Sequence, residues 1–176
     1  MAILDVVYYG DSRLEKVSEP VSEVTADVRK FIKNMFETMY FTNGVGLSAP
    51  QVGVNTRILV IDISGGTDRS KQIALINPVI LTESGEQKGP EGCLSFPGLF
   101  VEVKRPNYVK VKGLNPDSNE VEIEGTELLA RALHHEIDHL DGVLFTQRMK
   151  KSDREAIVKK MKKQILAVRE KEKVLI

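Results

Sequence analysis

The histidines are the feature that most constrains how this chain can fold, because all three fall in the segment His134–His139. Two of them, His135 and His139, are four residues apart. On an α-helix that spacing places both imidazoles on one face, with Cβ atoms roughly 5 to 6 Å apart, a span that one cation can bridge. The only cysteine, Cys93, lies far upstream. The pattern predicts a helix that carries two ligands of a catalytic metal site, with Glu136 beside the metal.

The flanking residues predict the helix that such a site requires. Thr126 is suited to the N-cap position, Glu127 opens the first turn, and Gly142 ends the helix. An apolar stripe leads toward the histidines and consists of Leu128, Leu129, Ala132 and Leu133. His134 points about 100° away from His135 on this helix. We therefore expect His134 to be packed or solvated rather than bound to the metal.

Size and composition favour a single cytoplasmic domain over residues 1–176. The chain has 176 residues, of which 41% are hydrophobic, and these suffice for one sizeable core. No apolar run approaches the roughly 18 residues of a membrane span, and the first residues lack the pattern of a secretory signal. One cysteine cannot form an internal disulfide. We therefore expect a reducing compartment and no membrane association.

The periodicity of apolar residues predicts the order of the structural elements. Helical spacing indicates a first helix over Thr25–Phe41. Residues that favour strands occupy Arg57–Ile63, Ile73–Leu81, Val101–Val103, Tyr108–Leu114 and Glu120–Glu124. The turn Asn115–Asn119 should join the last two strands as a hairpin. Ser152 and Glu155 form the pattern of a capping box, which opens a C-terminal helix over residues 152–174.

This order predicts an α+β fold, with short antiparallel β-sheets around a central metal-binding helix and a helix toward each end of the chain. Strands do not alternate strictly with helices, so a parallel doubly wound sheet is not expected. The loop at residues 64–70 lacks the Gly-Lys-Ser/Thr ending of a phosphate-binding loop. Nucleotide binding is therefore not predicted there.

Cys93, His135 and His139 supply the three protein ligands of a catalytic zinc-type site, which keeps its fourth position open for water. A bound divalent cation lowers the pKa of water from about 15.7 to near 7. Glu136 is then placed to accept a proton and to return it. Asp138 is not needed for ligation, and it either orients one of the histidines or is exposed to solvent.

The segment Gly44–Gly53 contains more small residues than an ordinary core helix does. Its glycines would let an extended substrate run close to the backbone. Gln51 offers an amide that could donate a hydrogen bond to a developing oxyanion. The alternative interpretation is a plain turn between the first helix and the first strand.

Two other classes of protein could carry the same histidine pattern. A zinc endopeptidase shares the motif and the hydroxide chemistry, but it normally takes its third ligand downstream. No histidine follows His139, although Glu155 could serve. A metal-stapled, non-catalytic module would need four protein ligands. With one cysteine, and His134 on another face of the helix, an open site is the simpler interpretation.

Three segments together resemble the signature of the peptide deformylases. The first is Gly44–Gln51, which matches Gly-apolar-Gly-apolar-Ala-Ala-x-Gln except that Ser48 stands where the family usually has alanine. The second is Glu91–Ser95, a complete Glu-Gly-Cys-Leu-Ser, and the third is His135–His139 with Asp138. The motifs occur in the family's order, and the resemblance covers nearly the whole chain.

The resemblance implies an enzyme of protein biosynthesis that hydrolyses the formyl group from formylmethionyl nascent polypeptides and releases formate. It assigns the metal to Cys93, His135 and His139, and the proton transfer to Glu136. The oxyanion donors would be Gln51 and the backbone amide of Leu94, while Val45, Gly46 and Gly92 would flank the peptide. The metal would be one divalent ion, ferrous iron in the first place, with zinc, nickel or cobalt as alternatives.

The resemblance also extends to Arg105, which stands where related proteins have an arginine that pairs with the acidic residues of the second and third motifs. Its partner would be Glu91 or Asp138. The alternative is a solvated arginine at the surface.

The C-terminal segment is basic, since residues 150–176 contain ten Lys and Arg against four Asp and Glu. An apolar face of Val158, Met161, Ile165 and Val168 should pack on the body of the protein. Lys159, Lys160 and Lys163 lie on the opposite face. The resemblance implies that this face docks on the ribosome, and a plain solvated lysine face is the alternative.

Overall fold

A computed structural model describes residues 2–174, with the side chains of residues 168, 169 and 171–174 left undescribed. This part of the chain contains three α-helices, α1 (Ala26–Phe41), α2 (Glu127–Leu140) and α3 (Lys151–Val174). Its seven strands are β1 (Gly46–Ser48), β2 (Ile58–Ile61), β3 (Ile73–Ser84), β4 (Gln87–Cys93), β5 (Phe96–Arg105), β6 (Tyr108–Leu114) and β7 (Glu120–Thr126). Short 3₁₀ helices occupy Ser12–Glu15, Ala49–Val52, Arg69–Lys71 and Phe145–Arg148.

The strands form two antiparallel sheets. The larger sheet has the order β1-β2-β3-β6-β7, and the smaller one is the hairpin β4-β5, which the chain forms between β3 and β6. The predicted hairpin of the last two strands is confirmed as β6 and β7, with Leu114 opposite Glu120. The α+β fold class is likewise confirmed.

Two strands are absent from the sequence-based prediction, and both contribute to the site. β1 has only three residues, and two of them, Gly46 and Ser48, have little intrinsic preference for strands. β4 is polar, with a proline and two glycines. Each strand is therefore stabilised by its partner, β1 by pairing with β2 and β4 by pairing with β5. β3 also continues to Ser84, three residues beyond the predicted end.

Helix α2 is central because nearly its whole circumference is covered. Every residue from Ala130 to Leu140 is buried. The helix packs on β2, β3 and β6 through one of the core clusters, which includes Leu59, Leu75, Val111, Leu133 and Ile137. Thr126 occupies the N-cap position, but its side chain makes no capping hydrogen bond. At the other end Gly142 has a φ of 71°, and a Cβ there would lie 2.7 Å from the Glu15 carbonyl oxygen.

Helix α1 covers the other end of the larger sheet. It begins at Ala26, one residue after the predicted start, because Thr25 is its N-cap and Thr25 Oγ1 accepts a hydrogen bond from the amide of Val28. Its apolar face, which includes Ile32, Met35 and Met39, packs on Leu47 and Val60 of the first two strands. The loop that leaves α1 is thereby held beside β1.

Helix α3 begins at Lys151, one residue before the predicted start. The predicted capping box is wrong, because Ser152 already lies inside the helix and its hydroxyl donates to Asp153. Met161 and Ile165 are buried as predicted, in a cluster with Phe96 and Leu99 of β5. Val158 is half-buried, and Val168 is among the residues whose side chains the structure does not describe. No helix in the described residues is long and apolar enough to cross a membrane.

The packing of α3 predicts that shortening two of its side chains to alanine will change the free energy of unfolding by different amounts. Met161 is fully buried, whereas Leu166 is 59% exposed. Met161→Ala should lower the free energy of unfolding by roughly 2 to 5 kcal/mol, because it leaves a cavity between α3 and β5. Leu166→Ala should change it by less than about 0.5 kcal/mol. Urea denaturation measures both, and equal small losses would show that α3 is not anchored through Met161.

Candidate active site

The hairpin of β4 and β5 carries Cys93 at its tip. Cys93 pairs with Phe96, which leaves Leu94 and Ser95 as the two residues of the turn, and the register shifts between Gly92 and Cys93. The core holds this tip in place, because Phe96 is buried and packs edge to face against Phe145 with ring centroids 4.7 Å apart. The thiol therefore has a fixed direction toward α2.

Helix α2 brings the two histidines to that thiol. Cys93 Sγ lies 3.2 Å from His139 Nε2, and that nitrogen lies 3.1 Å from His135 Nε2. All three donor atoms are within 4.8 Å of one another. With metal bonds of about 2.3 Å to sulfur and about 2.0 to 2.1 Å to nitrogen, tetrahedral ligands stand about 3.3 to 3.6 Å apart. The donor set therefore fits one divalent cation.

The burial of His139 also suits ligation. Burial lowers the pKa of His139 well below its usual range, so the ring is neutral at pH 7 and its nitrogen can bind a metal. Within the described residues, Cys93, His135 and His139 are the one set of three or more His, Cys, Asp or Glu side chains with converging donor atoms. Glu155, the ligand that an endopeptidase would have needed, is exposed on α3 and lies outside this set.

Glu91 hydrogen-bonds the ring nitrogen of His135 that faces away from Cys93. His135 Nδ1 donates to Glu91 Oε1 over 2.5 Å, which directs Nε2 toward Cys93. The carboxylate also accepts hydrogen bonds from Arg105 and from Arg131. Burial alone would raise the pKa of Glu91, but the hydrogen bonds from His135 and Arg105 outweigh it and lower the pKa well below its usual range. Glu91 is therefore ionised.

Asp138 is buried and bonds to arginines rather than to a ligand histidine. Arg105 Nη1 donates to Asp138 Oδ2, and Arg148 donates to both carboxylate oxygens over 3.1 and 2.6 Å. The carboxylate that bonds His135 is thus Glu91 and not Asp138, and solvent exposure of Asp138 is excluded. His134 is packed, with Nδ1 accepting from Arg105 over 2.9 Å. Arg105 itself is 2% exposed, so it is not a surface arginine.

Glu136 lies in the groove beside these ligands, and burial raises its pKa to about 7. Its Oε2 has no hydrogen-bond partner among the described residues. The neighbouring strand leaves room for this side chain only because residue 46 is glycine. A Cβ on Gly46 would lie 2.5 Å from Glu136 Oε1.

Gln51 is also buried, and it reaches the cysteine from the other side. Its Oε1 accepts hydrogen bonds from the amide and the hydroxyl of Ser48, each over 2.8 Å. Its Nε2 donates to Cys93 Sγ over 3.4 Å. The segment after α1 is therefore not a plain turn, because it forms an edge strand and a 3₁₀ helix that place an amide beside the cysteine.

A groove of about 640 Å³ opens onto these groups. Among the residues expected to flank a peptide, Val45, Gly46 and Gly92 all line it, as does Leu94. Phe100 of β5 and Leu128 of α2 add apolar surface, and they are 74% and 48% exposed. The groove can therefore take an extended chain with apolar side chains.

Sequence reasoning assigned no role in the site to Arg131 and Arg148, which hold Glu91 and Asp138. Arg131 precedes His135 by four residues, so helical spacing alone places it on the ligand face, and that signal could have revealed it. For Arg148 the sequence offers no comparable signal, because its position depends on the turn after α2. Ser48 was noted only as a departure from a family motif.

Comparisons with known proteins agree on one family. The model of the polypeptide deformylase family matches residues 3–155. The peptide deformylase of Thermodesulfovibrio yellowstonii is 50% identical over 162 residues, which cover 92% of this chain and 98% of that protein.

Solved structures give the same result. The crystal structure of a peptide deformylase from Legionella pneumophila has a TM-score of 0.89 and 42% identity, and the match covers 96% of this chain and 99% of that one. The plant peptide deformylase PDF1B has a TM-score of 0.87 and 36% identity, with coverage of 98% and 94%. The chain therefore belongs to the peptide deformylase family, the metalloenzymes that remove the N-terminal formyl group from nascent polypeptides.

Proposed function

We propose that Cys93, His135 and His139 bind one divalent metal ion, and that the chain uses it to hydrolyse the formyl amide of formylmethionyl nascent chains. Convergence of these three donors at the groove carries the proposal. In the reaction the carbon–nitrogen bond of the formyl amide breaks, the oxygen of water joins the formyl carbon, and a proton goes to the leaving amine. The products are formate and a free amino terminus.

When it is bound, the cation supplies a water of lowered pKa and polarises a carbonyl oxygen. Glu136 would take a proton from the attacking water and pass it to the leaving amine, because its buried carboxylate lies in the groove next to the proposed ligands. We propose ferrous iron as the native ion on the basis of the family resemblance. A thiolate with two imidazoles also suits zinc, nickel and cobalt.

Two groups would donate to the oxyanion that forms on the formyl oxygen. Gln51 is suited to this because its acceptor oxygen is occupied by Ser48, so only N–H groups are free to point toward the substrate. The backbone amide of Leu94, in the turn after Cys93, would be the second donor. Val45, Gly46 and Gly92 would flank the peptide, since all three line the groove.

Three buried charged residues would support the ligands without touching the substrate. Glu91 fixes the ring of His135, Arg105 bridges Glu91 and Asp138, and Asp138 anchors that arginine to α2. Mutation of residues that hydrogen-bond metal ligands in this way commonly lowers metal affinity by 10- to 100-fold. We place the protein in the cytoplasm, where nascent chains carry the formyl group.

The direct test is release of formate from a formylmethionyl tripeptide by protein purified without oxygen. We expect turnover that depends on the metal content and stops when a chelator removes the ion. Cleavage of internal peptide bonds with no formate release would favour the endopeptidase interpretation. No reaction by fully metallated protein would contradict the proposal.

Substitutions at the ligands and at the proposed base should separate metal retention from catalysis. Cys93→Ala should lose the metal, because two histidines leave the cation mostly to water. Glu136→Gln should keep the metal but lose at least roughly 10² to 10⁴ in turnover, the usual contribution of general acid–base catalysis. Metal analysis and formate release measure the two effects.

His134→Gln serves as the matched control, because His134 lies next to a ligand but its ring bonds Arg105 instead. This variant should retain the metal. Near-stoichiometric metal in the Cys93→Ala protein would remove the cysteine from the site.

Gly46→Ala should inactivate the enzyme by displacing Glu136. The new Cβ would lie 2.5 Å from Glu136 Oε1, so the buried carboxylate must move away from its position beside the ligands. We expect turnover to fall by at least about tenfold, with metal content unchanged. Gly89→Ala is the control, because the nearest atom to its Cβ is Arg131 Nη2 at 3.4 Å. Equal activity of the two variants would show that Glu136 can shift without consequence.

We propose further that the basic face of α3 docks on the ribosome, where nascent chains emerge. Lys159, Lys160 and Lys163 are exposed, while Met161 and Ile165 attach the same helix to the body. A lysine face that is anchored in this way can approach RNA phosphates without unfolding. The alternative remains a solvated face with no partner.

Replacing Lys159, Lys160 and Lys163 by glutamate should weaken ribosome binding and leave hydrolysis of a free formyl peptide intact. The affinity of the parent should fall steeply with salt, by roughly 0.7 to 0.9 logarithmic units per phosphate neutralised. Sedimentation with ribosomes at several salt concentrations measures this.

A charge-matched control carries the same three changes at Lys16, Lys30 and Lys33, which are exposed on other parts of the surface. It should sediment like the parent. If the α3 variant also sediments like the parent, docking through this face is wrong.

A further inference from the structure

Ser48, at the end of β1, is a buried polar residue that the chemistry above leaves without a role of its own. Its side chain is completely buried, and its hydroxyl donates to Gln51 Oε1 over 2.8 Å. Its backbone amide donates to the same oxygen, also over 2.8 Å. Both contacts converge on the one side chain that is proposed to meet the oxyanion from this side of the groove.

Two donors on one amide oxygen determine which way the amide points. A carbonyl-type oxygen has two lone pairs, and Ser48 uses both. If the amide of Gln51 were rotated by 180°, its NH₂ group would face the backbone N–H of Ser48, so that hydrogen bond could not form and the hydroxyl would have to turn from donor to acceptor. The observed orientation instead directs Nε2 toward Cys93 Sγ, 3.4 Å away. The hydroxyl therefore adds a second restraint to the one that any residue at position 48 would supply through its backbone.

We infer that Ser48 is a positioning residue for catalysis, whose hydroxyl fixes the amide of Gln51 so that Nε2 faces the reacting carbonyl. This inference rests on the proposed role of Gln51 as an oxyanion donor, and it assigns to Ser48 no contact with the substrate. The backbone amide alone leaves the side-chain amide one hydrogen bond and more freedom to rotate. A misdirected amide forfeits an interaction that exists mainly in the transition state.

Because Ser48 is inferred to act on the transition state, its loss should affect kcat rather than KM. Ser48→Ala should lower kcat by about 3- to 10-fold, the range that corresponds to one neutral hydrogen bond. KM should stay the same, because the lost interaction is not made in the ground state. Ser95→Ala is the matched control. Ser95 is buried in the adjacent turn, its hydroxyl has no hydrogen-bond partner among the described residues, and its removal should leave kcat unchanged.

The route through Gln51 can be tested by a double-mutant cycle with Ser48→Ala and Gln51→Leu. If Ser48 acts through Gln51, Ser48→Ala should lower kcat in the parent and have no effect in the Gln51→Leu protein. The same factor in both backgrounds would overturn the inference, since Ser48 would then act through another neighbour such as the carboxyl of Glu136. Unchanged kcat for Ser48→Ala in the parent would overturn it as well.

The cycle also separates this inference from the proposed function. If Gln51→Leu alone leaves kcat unchanged, the proposed role of Gln51 is wrong. If Gln51→Leu costs activity while Ser48→Ala adds its own independent loss, only the role of Ser48 is wrong.

A spectroscopic measurement on protein loaded with Co²⁺ gives a readout that does not depend on turnover. Gln51 donates to Cys93 Sγ, so the thiolate-to-cobalt absorption band should respond to the position of the amide. The band of Ser48→Ala should shift in the same direction as the band of Gln51→Leu, while Ser95→Ala keeps the parent spectrum. A parent-like band for Ser48→Ala beside a shifted band for Gln51→Leu would show that the amide does not need the hydroxyl.

Discussion

The hydrogen bonding of Glu91 is the interaction on which the rest of the site depends. This carboxylate is buried on β4 and accepts hydrogen bonds from Arg105 of β5 and from Arg131 and His135 of α2. A buried charge costs several kcal/mol unless it is paired and hydrogen-bonded, so the hairpin can be stable against α2 only when all these groups meet. The pairing thereby fixes Cys93, two residues further along β4, opposite the histidines.

The buried face of the hairpin has an apolar part that packs in the core and a charged part that belongs to the ion network. Along β5 the inward positions Leu99, Val101 and Val103 are apolar and pack in the cluster that anchors α3. The next inward position is Arg105, which belongs to the ion network. One strand therefore joins the hydrophobic core to the polar network that holds His135. Strand β1 approaches α2 from the other side, and the glycine at position 46 permits contact with Glu136.

The parts of the fold that local periodicity encodes could be predicted from the sequence, and α2 with its histidines is the clearest example. β1 and β4 could not, because their small and polar residues form strands only through pairing with distant segments. The inward register of Arg105, which continues the alternation from Leu99, was available in the sequence and argues against a surface arginine. The sequence could not predict that Asp138 bonds Arg148 rather than a ligand histidine, because the position of Arg148 depends on how the chain turns after Gly142.

We propose that the buried ion network around Arg105, and not only Cys93, His135 and His139, determines how tightly the metal is bound. The most direct test is the metal affinity of Arg105→Met, measured by competition with a chelator on protein whose circular dichroism shows that it is folded. We predict that affinity falls by roughly 10- to 100-fold, because Glu91 and Asp138 lose the arginine that links them. An affinity equal to that of the parent would show that the ligands are positioned without the network.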